Sequence, residues 1–326
     1  MSLTSTLKGS SKFDKEFQKI LFDLCNKDYF SVLNKNCHPF EQDNPKVPYD
    51  SELNSWQASI IGTAFDYCAR FEIGKFLKDK RSTEALYSAQ GFLAILKSHP
   101  KAKEYKLTES YYINLMKGIN EYVKGREGNF EYVLETSVRL AKMEHAVRGD
   151  VRRIPELNLD DIFIDDQSSL IINQLRDMVK LFHDEFINGG YVTKKSDVIY
   201  NPHFGATGNL VGGADADIFI DGTLYDFKTS KDNKYKRLDV AQLLGYFLLC
   251  EINNYMDVDD AYYLGIDRLS FYKGRYGTIE SMKVTDLGID TISNKAKELA
   301  AVLINSPSRS IHSIMRKGEL MKAFQK

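Results

Sequence analysis

The sequence predicts an α/β protein in which a large, mainly helical region, residues 1–165, precedes a mixed-sheet core, residues 166–326. Three observations predict it. Apolar residues recur at helical spacing from Phe13 to about Ile187. Beyond Gly190 the period shortens to that of strands. A single helical segment then interrupts those strands, which suggests an antiparallel meander followed by a helical crossover in one sheet.

Taken in order, the first ten residues are rich in Ser, Thr and Gly and read as disordered. Helices are expected over Glu16 to Asn26, Glu52 to Lys78, Thr83 to Lys97 and Ser110 to Lys124. Three prolines between Cys37 and Ser51 mark a loop, after which Asp50 or Ser51 is placed to cap the next helix. Another loop follows Arg148. From Gln167 to Ile187 a stripe of Ile171, Leu175, Met178, Phe182 and Phe186 defines a helix that Gly189 and Gly190 stop. Strands are expected at Tyr191 to Tyr200, Leu210 to Asp221 and Leu224 to Ser230, then a helix over Lys236 to Ile252. Further strands are expected at Ala261 to Ile266, Leu269 to Lys273 and Thr278 to Val284, with a helix over Asp290 to Ile304.

Composition narrows the class. The 326 residues carry 44 Lys plus Arg against 45 Asp plus Glu, so any basic surface is local and a nonspecific DNA coat is disfavoured. Cys25, Cys37, Cys68 and Cys250 match neither a disulfide framework nor a zinc spacing, which fits a reducing cytoplasm. No stretch approaches the apolar length of a membrane span, so neither secretion nor a membrane partner is expected. His145, His183 and His203 form no zinc pattern. Gly205, Gly208, Gly212 and Gly213 lead to no phosphate-loop lysine, and fit a bend or a close approach instead.

The informative stretch runs from Gly212 to Lys228. Asp221-Gly222 is a two-residue turn signal, because a type I′ hairpin needs positive φ at both central residues. That turn pairs Ile220 with Thr223, Phe219 with Leu224, Ile218 with Tyr225, Asp217 with Asp226 and Asp215 with Lys228. One face then carries Ala216, Ile218, Ile220, Tyr225 and Phe227, and the other Asp215, Asp217, Asp226 and Lys228. Opposed carboxylates repel unless one is protonated or a cation lies between them, and a hard divalent ion is the simplest remedy. Lys228 would share that face and offset developing negative charge, an arrangement suited to attack on a phosphodiester. The same residues also admit a plain cross-strand ion pair of Asp215 with Lys228 on a solvated face.

These residues resemble the PD-(D/E)xK phosphodiesterase superfamily, and within it the RecB-like nucleases. The resemblance covers Tyr191 to about Ile266. It implies a restriction-endonuclease-like core of helix, three-stranded meander, helix and strand, with Asp217 on the second strand and Asp226-Phe227-Lys228 on the third. The branch's Gln-x-x-x-Tyr motif is matched by Gln242 and Tyr246. Spacing puts that pair on one side of the helix, away from an apolar stripe of Val240, Leu243, Leu244, Phe247 and Leu248. The resemblance implies that Asp217, Asp226 and the Phe227 carbonyl hold Mg²⁺ or Mn²⁺, that Lys228 positions the attacking water, and that Gln242 and Tyr246 contact the nucleic-acid backbone. An upstream acid often completes such a site, and Glu144 and Glu185 both border helical stripes. Segments Arg139 to Glu144, Asn201 to Phe204 and Gly212 to Asp217 are similar to uncharacterised bacterial relatives, which favours Glu144.

The expected function is therefore a divalent-metal-dependent nuclease acting on DNA, RNA not being excluded, in processing, repair or defence against mobile elements. The alternatives are an inactive nucleic-acid-binding or assembly module on the same fold, and a glycosyltransferase using Asp215-Ala216-Asp217 as its acidic triplet. The latter leaves Lys228 and Gln242 without a role.

Overall fold

The computed structural model describes residues 2–84, 86–96, 109–125, 129–149, 159–163, 167–256, 264–307 and 311–324. The first helix, α1 (Leu3–Lys8), overturns the expectation of a disordered start. Ser2 caps it, Leu3 and Leu7 are buried, and the Leu3 N–H donates to the Gly213 carbonyl at 2.9 Å. Burying two leucines outweighs the flexibility that Ser and Thr suggest. α2 (Lys12–Leu24) starts from a reciprocal capping box of Ser11 with Asp14. The short strand β1 (Ser31–Val32) follows.

The long helix α3 (Ser55–Leu77) is capped by Asn54, not by Asp50 or Ser51. The Asp50 side chain accepts from the Glu52 N–H instead and closes a turn one step earlier. α4 (Tyr87–Leu96), α5 (Glu109–Val123), α6 (Phe130–Arg148) and the single turn α7 (Asp160–Phe163) complete the helical half. α8 (Ser169–Phe182) buries the expected stripe and runs on as a π-helical turn, His183–Ile187.

The sheet then begins, with shorter strands than the sequence suggests. β2 spans only Val198–Tyr200, because Thr193 and Ser196 bond each other in a turn that precedes it. The strand expected from Leu210 is replaced by the helix α9 (Gly205–Leu210) and a turn through Gly212 and Gly213, both at positive φ. β3 is Ile218–Ile220 and β4 is Thr223–Lys228, joined through Asp221 (φ 45°) and Gly222 (φ 82°), and they pair Ile220 with Thr223, Phe219 with Leu224 and Ile218 with Tyr225 as expected; the ladder stops there, and Asp215 bridges His203 rather than Lys228. α10 (Arg237–Asn254) carries the chain to β5 (Arg268–Lys273), which pairs parallel with β4. Of the strand expected at Ala261 to Ile266, residues 261–263 lie outside the described residues and 264–266 are not strand. β6 (Thr278–Lys283), α11 (Ile289–Ile304) and α12 (Ile311–Phe324) follow.

The result is an open six-stranded mixed sheet in the order β1-β6-β5-β4-β3-β2, with only the β4–β5 pair parallel. Helices cover both faces. On one side α1, α2, α10 and α11 pack over Phe219, Leu224, Leu269 and Phe271. On the other α3 and α8 pack over Ile218, Tyr225, Phe227 and Tyr272. A third cluster joins α4, α5 and α6 around Phe71, Phe92, Ile119 and Leu140. Residues before 165 thus contribute to the sheet and to both of its cores. Among the described residues no helix is long and apolar enough to cross a membrane.

Three details of patterning differ from expectation. Ala216 packs with Phe219 and Leu224, not with Ile218. Regular pairing of β2 with β3 ends at Tyr200, since Asn201 sits at φ 48° and its N–H reaches the Asp217 carbonyl. α10 is not amphipathic: it is buried nearly all round, Tyr246 included, because it is sandwiched between the sheet and α1 with α2. At Gly245 a Cβ would stand 3.1 Å from Leu3 Cδ1, so a glycine permits that close approach.

Candidate active site

The C-terminal end of β4, the approach to β3, and helices α1, α3, α6 and α10 enclose a cleft of about 800 Å³. Its wall includes Asp215, Asp217, Asp226, Phe227, Lys228, Gln242, Tyr246 and Glu144. Residues far apart in sequence thus meet here through topology. The hairpin register delivers Asp217 and Asp226, and the crossover helix α10 returns Gln242 and Tyr246 beside them. Glu185 does not join them. It pairs with Lys46 and accepts from Asn34 Nδ2 at 3.3 Å, beside β6.

Asp217 is held by its neighbours' backbone. Its Oδ2 accepts the Phe227 N–H at 2.5 Å, which locks the side chain across β4. Burial, and then the charge of Asp226, push its acid up to about 7, against the opposing pull of the Phe227 N–H and Lys228. Asp226 is raised by burial, with Lys228 opposing. Lys228 Nζ stands 2.7 Å from Asp226 Oδ2. This is the ion pair the lysine makes, in place of the cross-strand pair with Asp215. Burial works against the ammonium, yet Asp226, Asp239 and Asp217 together hold it firmly protonated.

Gln242 Nε2 donates to the Tyr246 hydroxyl at 2.8 Å, as their four-residue spacing allows. Tyr246 stacks on Phe204 with ring centroids 5.1 Å apart. Burial, and then the charge of Asp226, keep its phenol protonated. Glu144 accepts from the Tyr67 hydroxyl at 2.6 Å and pairs with Arg148 at 2.9 Å.

Two residues on α3 enter the site without having been expected there. Asp66 lines the cleft, and its acid is raised well above the ordinary range by burial and then by Asp217, Asp226 and Glu144. Arg70 lines the far wall, donating to the carbonyls of Ser82, Arg81 and Glu84. The signal for both lies in the sequence: Ser59, Thr63, Asp66 and Arg70 recur every three or four residues across the apolar middle of the helix.

The donor set fits a hard divalent cation. Asp66 Oδ1 is buried without a hydrogen-bond partner, while Asp226 Oδ2 is met by the Lys228 ammonium; a buried carboxylate oxygen left unpaired is costly unless a cation meets it. Among the described residues no group of three or more His, Cys, Asp or Glu side chains is placed to hold a metal ion by itself. Mg²⁺ takes one or two protein carboxylates and fills its other positions with water or substrate oxygens.

No protein-family model matches the chain, and neither a curated protein nor a solved structure is significantly similar to it.

Proposed function

We propose that the chain is a divalent-metal-dependent nuclease of the RecB-like PD-(D/E)xK type, hydrolysing DNA phosphodiester bonds. One observation carries the reading: the acid pair Asp217 and Asp226, the lysine Lys228 and the Gln242–Tyr246 pair line one cleft. Burial raises all three acids, Asp226 raises that of Asp217, and both raise that of Asp66, which supports the reading, as expected of carboxylates assembled for a cation that offsets their repulsion. Arg70 and Arg148 add positive charge to the wall, which suits a polyanionic substrate.

In this reading Asp217, Asp226 and the Phe227 carbonyl would hold Mg²⁺ or Mn²⁺, with Glu144 as an upstream acid and Asp66 as a further carboxylate beside them. When bound, the ion supplies Lewis acidity and lowers the pKa of water. The protein's own groups do the rest. The Phe227 N–H fixes Asp217, so the carboxylate is preorganised before substrate arrives. The Lys228 ammonium offsets charge growing on the phosphoryl oxygens and orients water by hydrogen bonding. Gln242 holds the Tyr246 hydroxyl toward the cleft, where it can donate to a backbone phosphate.

The test is incubation of the purified chain with linear and circular single- and double-stranded DNA and with RNA, with Mg²⁺, Mn²⁺ or EDTA. Cleavage that needs the metal and disappears in a folded Asp226→Asn variant is the expected result. Undiminished cleavage by that variant, or metal-dependent binding with no cleavage of any substrate, would overturn the reading; the second outcome is that of an inactive binding module.

A further inference from the structure

Helix α3 is buried on nearly every side: Ile60, Ile61, Ala64, Phe65, Cys68 and Ala69 are all fully enclosed. One stripe stays accessible. Trp56 and Ser59 are exposed, and Gly62, Thr63 and Asp66 are half-buried. Steps of three and four residues put these on one line along the helix. Ten residues at ~1.5 Å rise make that line about 15 Å long.

Its inner end is the cleft, lined by Thr63 and Asp66. A Cβ at Gly62 would stand 3.2 Å from Thr229 Oγ1, so the stripe also touches the residue that follows Lys228. Midway, His145 Nε2 lies 3.1 Å from Thr63 Oγ1 and 3.5 Å from Ser59 Oγ. At the outer end Trp56 is 47% exposed, and the Lys142 ammonium, itself buried and paired with Asp161 at 2.7 Å, lies 5.7 Å from its ring centroid.

We propose that this stripe is the path by which a single nucleic-acid strand reaches the cleft, with Trp56 as the platform on which an unpaired base stacks. The inference rests on the nuclease reading and narrows its substrate to strands with unpaired bases. An indole offers its face to a base only when that base's own face is free, which a duplex interior denies. The hydroxyls of Ser59 and Thr63 and the His145 ring match sugar and phosphate groups. The one carboxylate on the line, Asp66, sits at the catalytic end.

Trp56 is the only tryptophan in the chain, so it reports its own contacts. The full chain in EDTA is titrated with an oligothymidylate of about 12 nucleotides, within the ~4–16-nucleotide footprint of single-strand-binding folds. A blunt duplex of the same length is titrated in parallel. Saturable quenching by the single strand and little by the duplex is expected. Trp56→Ala should weaken single-strand affinity by roughly 5- to 150-fold, while Trp56→Phe keeps most of it. Ser59→Glu, at an exposed position, should weaken binding with the indole intact.

Equal quenching by duplex, no quenching by the oligothymidylate, or unchanged affinity in Trp56→Ala would each overturn the path. If the wild type cleaves DNA while Trp56→Ala cleaves single strands with the same KM, the path fails and the nuclease reading stands. Quenching with Trp56-dependent affinity but no cleavage under any divalent ion keeps the path and removes the nuclease reading.

Discussion

Asp217→Asn isolates the electrostatic strain of the cleft. Burial, and then the charge of Asp226, push the Asp217 carboxyl up to about 7, against an ordinary 3.8. That interval, at about 1.4 kcal/mol per pH unit, corresponds to about 4 kcal/mol for the metal-free protein. The sign follows from the raised pKa. Between pH 4 and 7 the folded state binds more protons at this group than the unfolded chain, so stability falls as pH rises through that window. Above pH 7 both states are ionised and no further loss accrues from it. Asparagine is close in shape, and its Oδ1 can still accept the Phe227 N–H. The variant should match the wild type near pH 4 and exceed it at pH 8 by up to about 4 kcal/mol. Urea unfolding in EDTA across pH 4–9 measures this directly. Repeating the series with Mg²⁺ should raise wild-type stability most at neutral pH, with a smaller effect in the variant. A pH-independent wild type, or a variant less stable at pH 8, would show that Asp217 is comfortably ionised without a cation and would remove the argument for a shared ion.

Further outcomes follow from individual contacts. Lys228→Met keeps much of the side-chain volume and removes the ammonium, so single-turnover cleavage should fall by about 10²–10⁴ while metal-dependent DNA binding persists. Glu185→Ala should leave cleavage unchanged, since that residue pairs with Lys46 outside the cleft, whereas Glu144→Ala should reduce it; the opposite ranking in the same assay would reverse the choice of upstream acid. Gly222→Ala places a Cβ at φ 82° and 2.7 Å from Asp267 Oδ2, and should cost at least about 1–2 kcal/mol in an unfolding titration; an unaltered midpoint would mean the hairpin turn relaxes freely.

Much of the cleft was legible because it is built from local rules. A hairpin turn fixes register, and register decides which side chains face together. Asp221-Gly222 therefore sufficed to pair Ile218 with Tyr225, and Asp217, one residue before the regular pairing, reaches the Phe227 N–H next to Asp226. Four-residue spacing likewise sufficed to put Gln242 within hydrogen-bonding reach of Tyr246. Asp66 was harder to pick out, since α3 is apolar on most of its sides and its polar spacing from Ser59 to Arg70 matches no motif. Leu210 to Asp221 misled because alternation describes a strand whether or not Gly212 and Gly213 bend the chain away beforehand.

The sequence by itself determined the α/β class, the helix-to-strand switch near Gly190, the β3–β4 register and the chemical identity of the acid and lysine groups. These depend on hydrogen bonds and sterics between residues near in sequence. Only the tertiary structure decided that α3 leans Asp66 and Arg70 into the cleft, that α1 seals its edge through Leu3 against Gly245, and that Glu144 enters while Glu185 does not. Those outcomes turn on how helices pack across a sheet, where contacts between distant segments compete and no local period records which one wins.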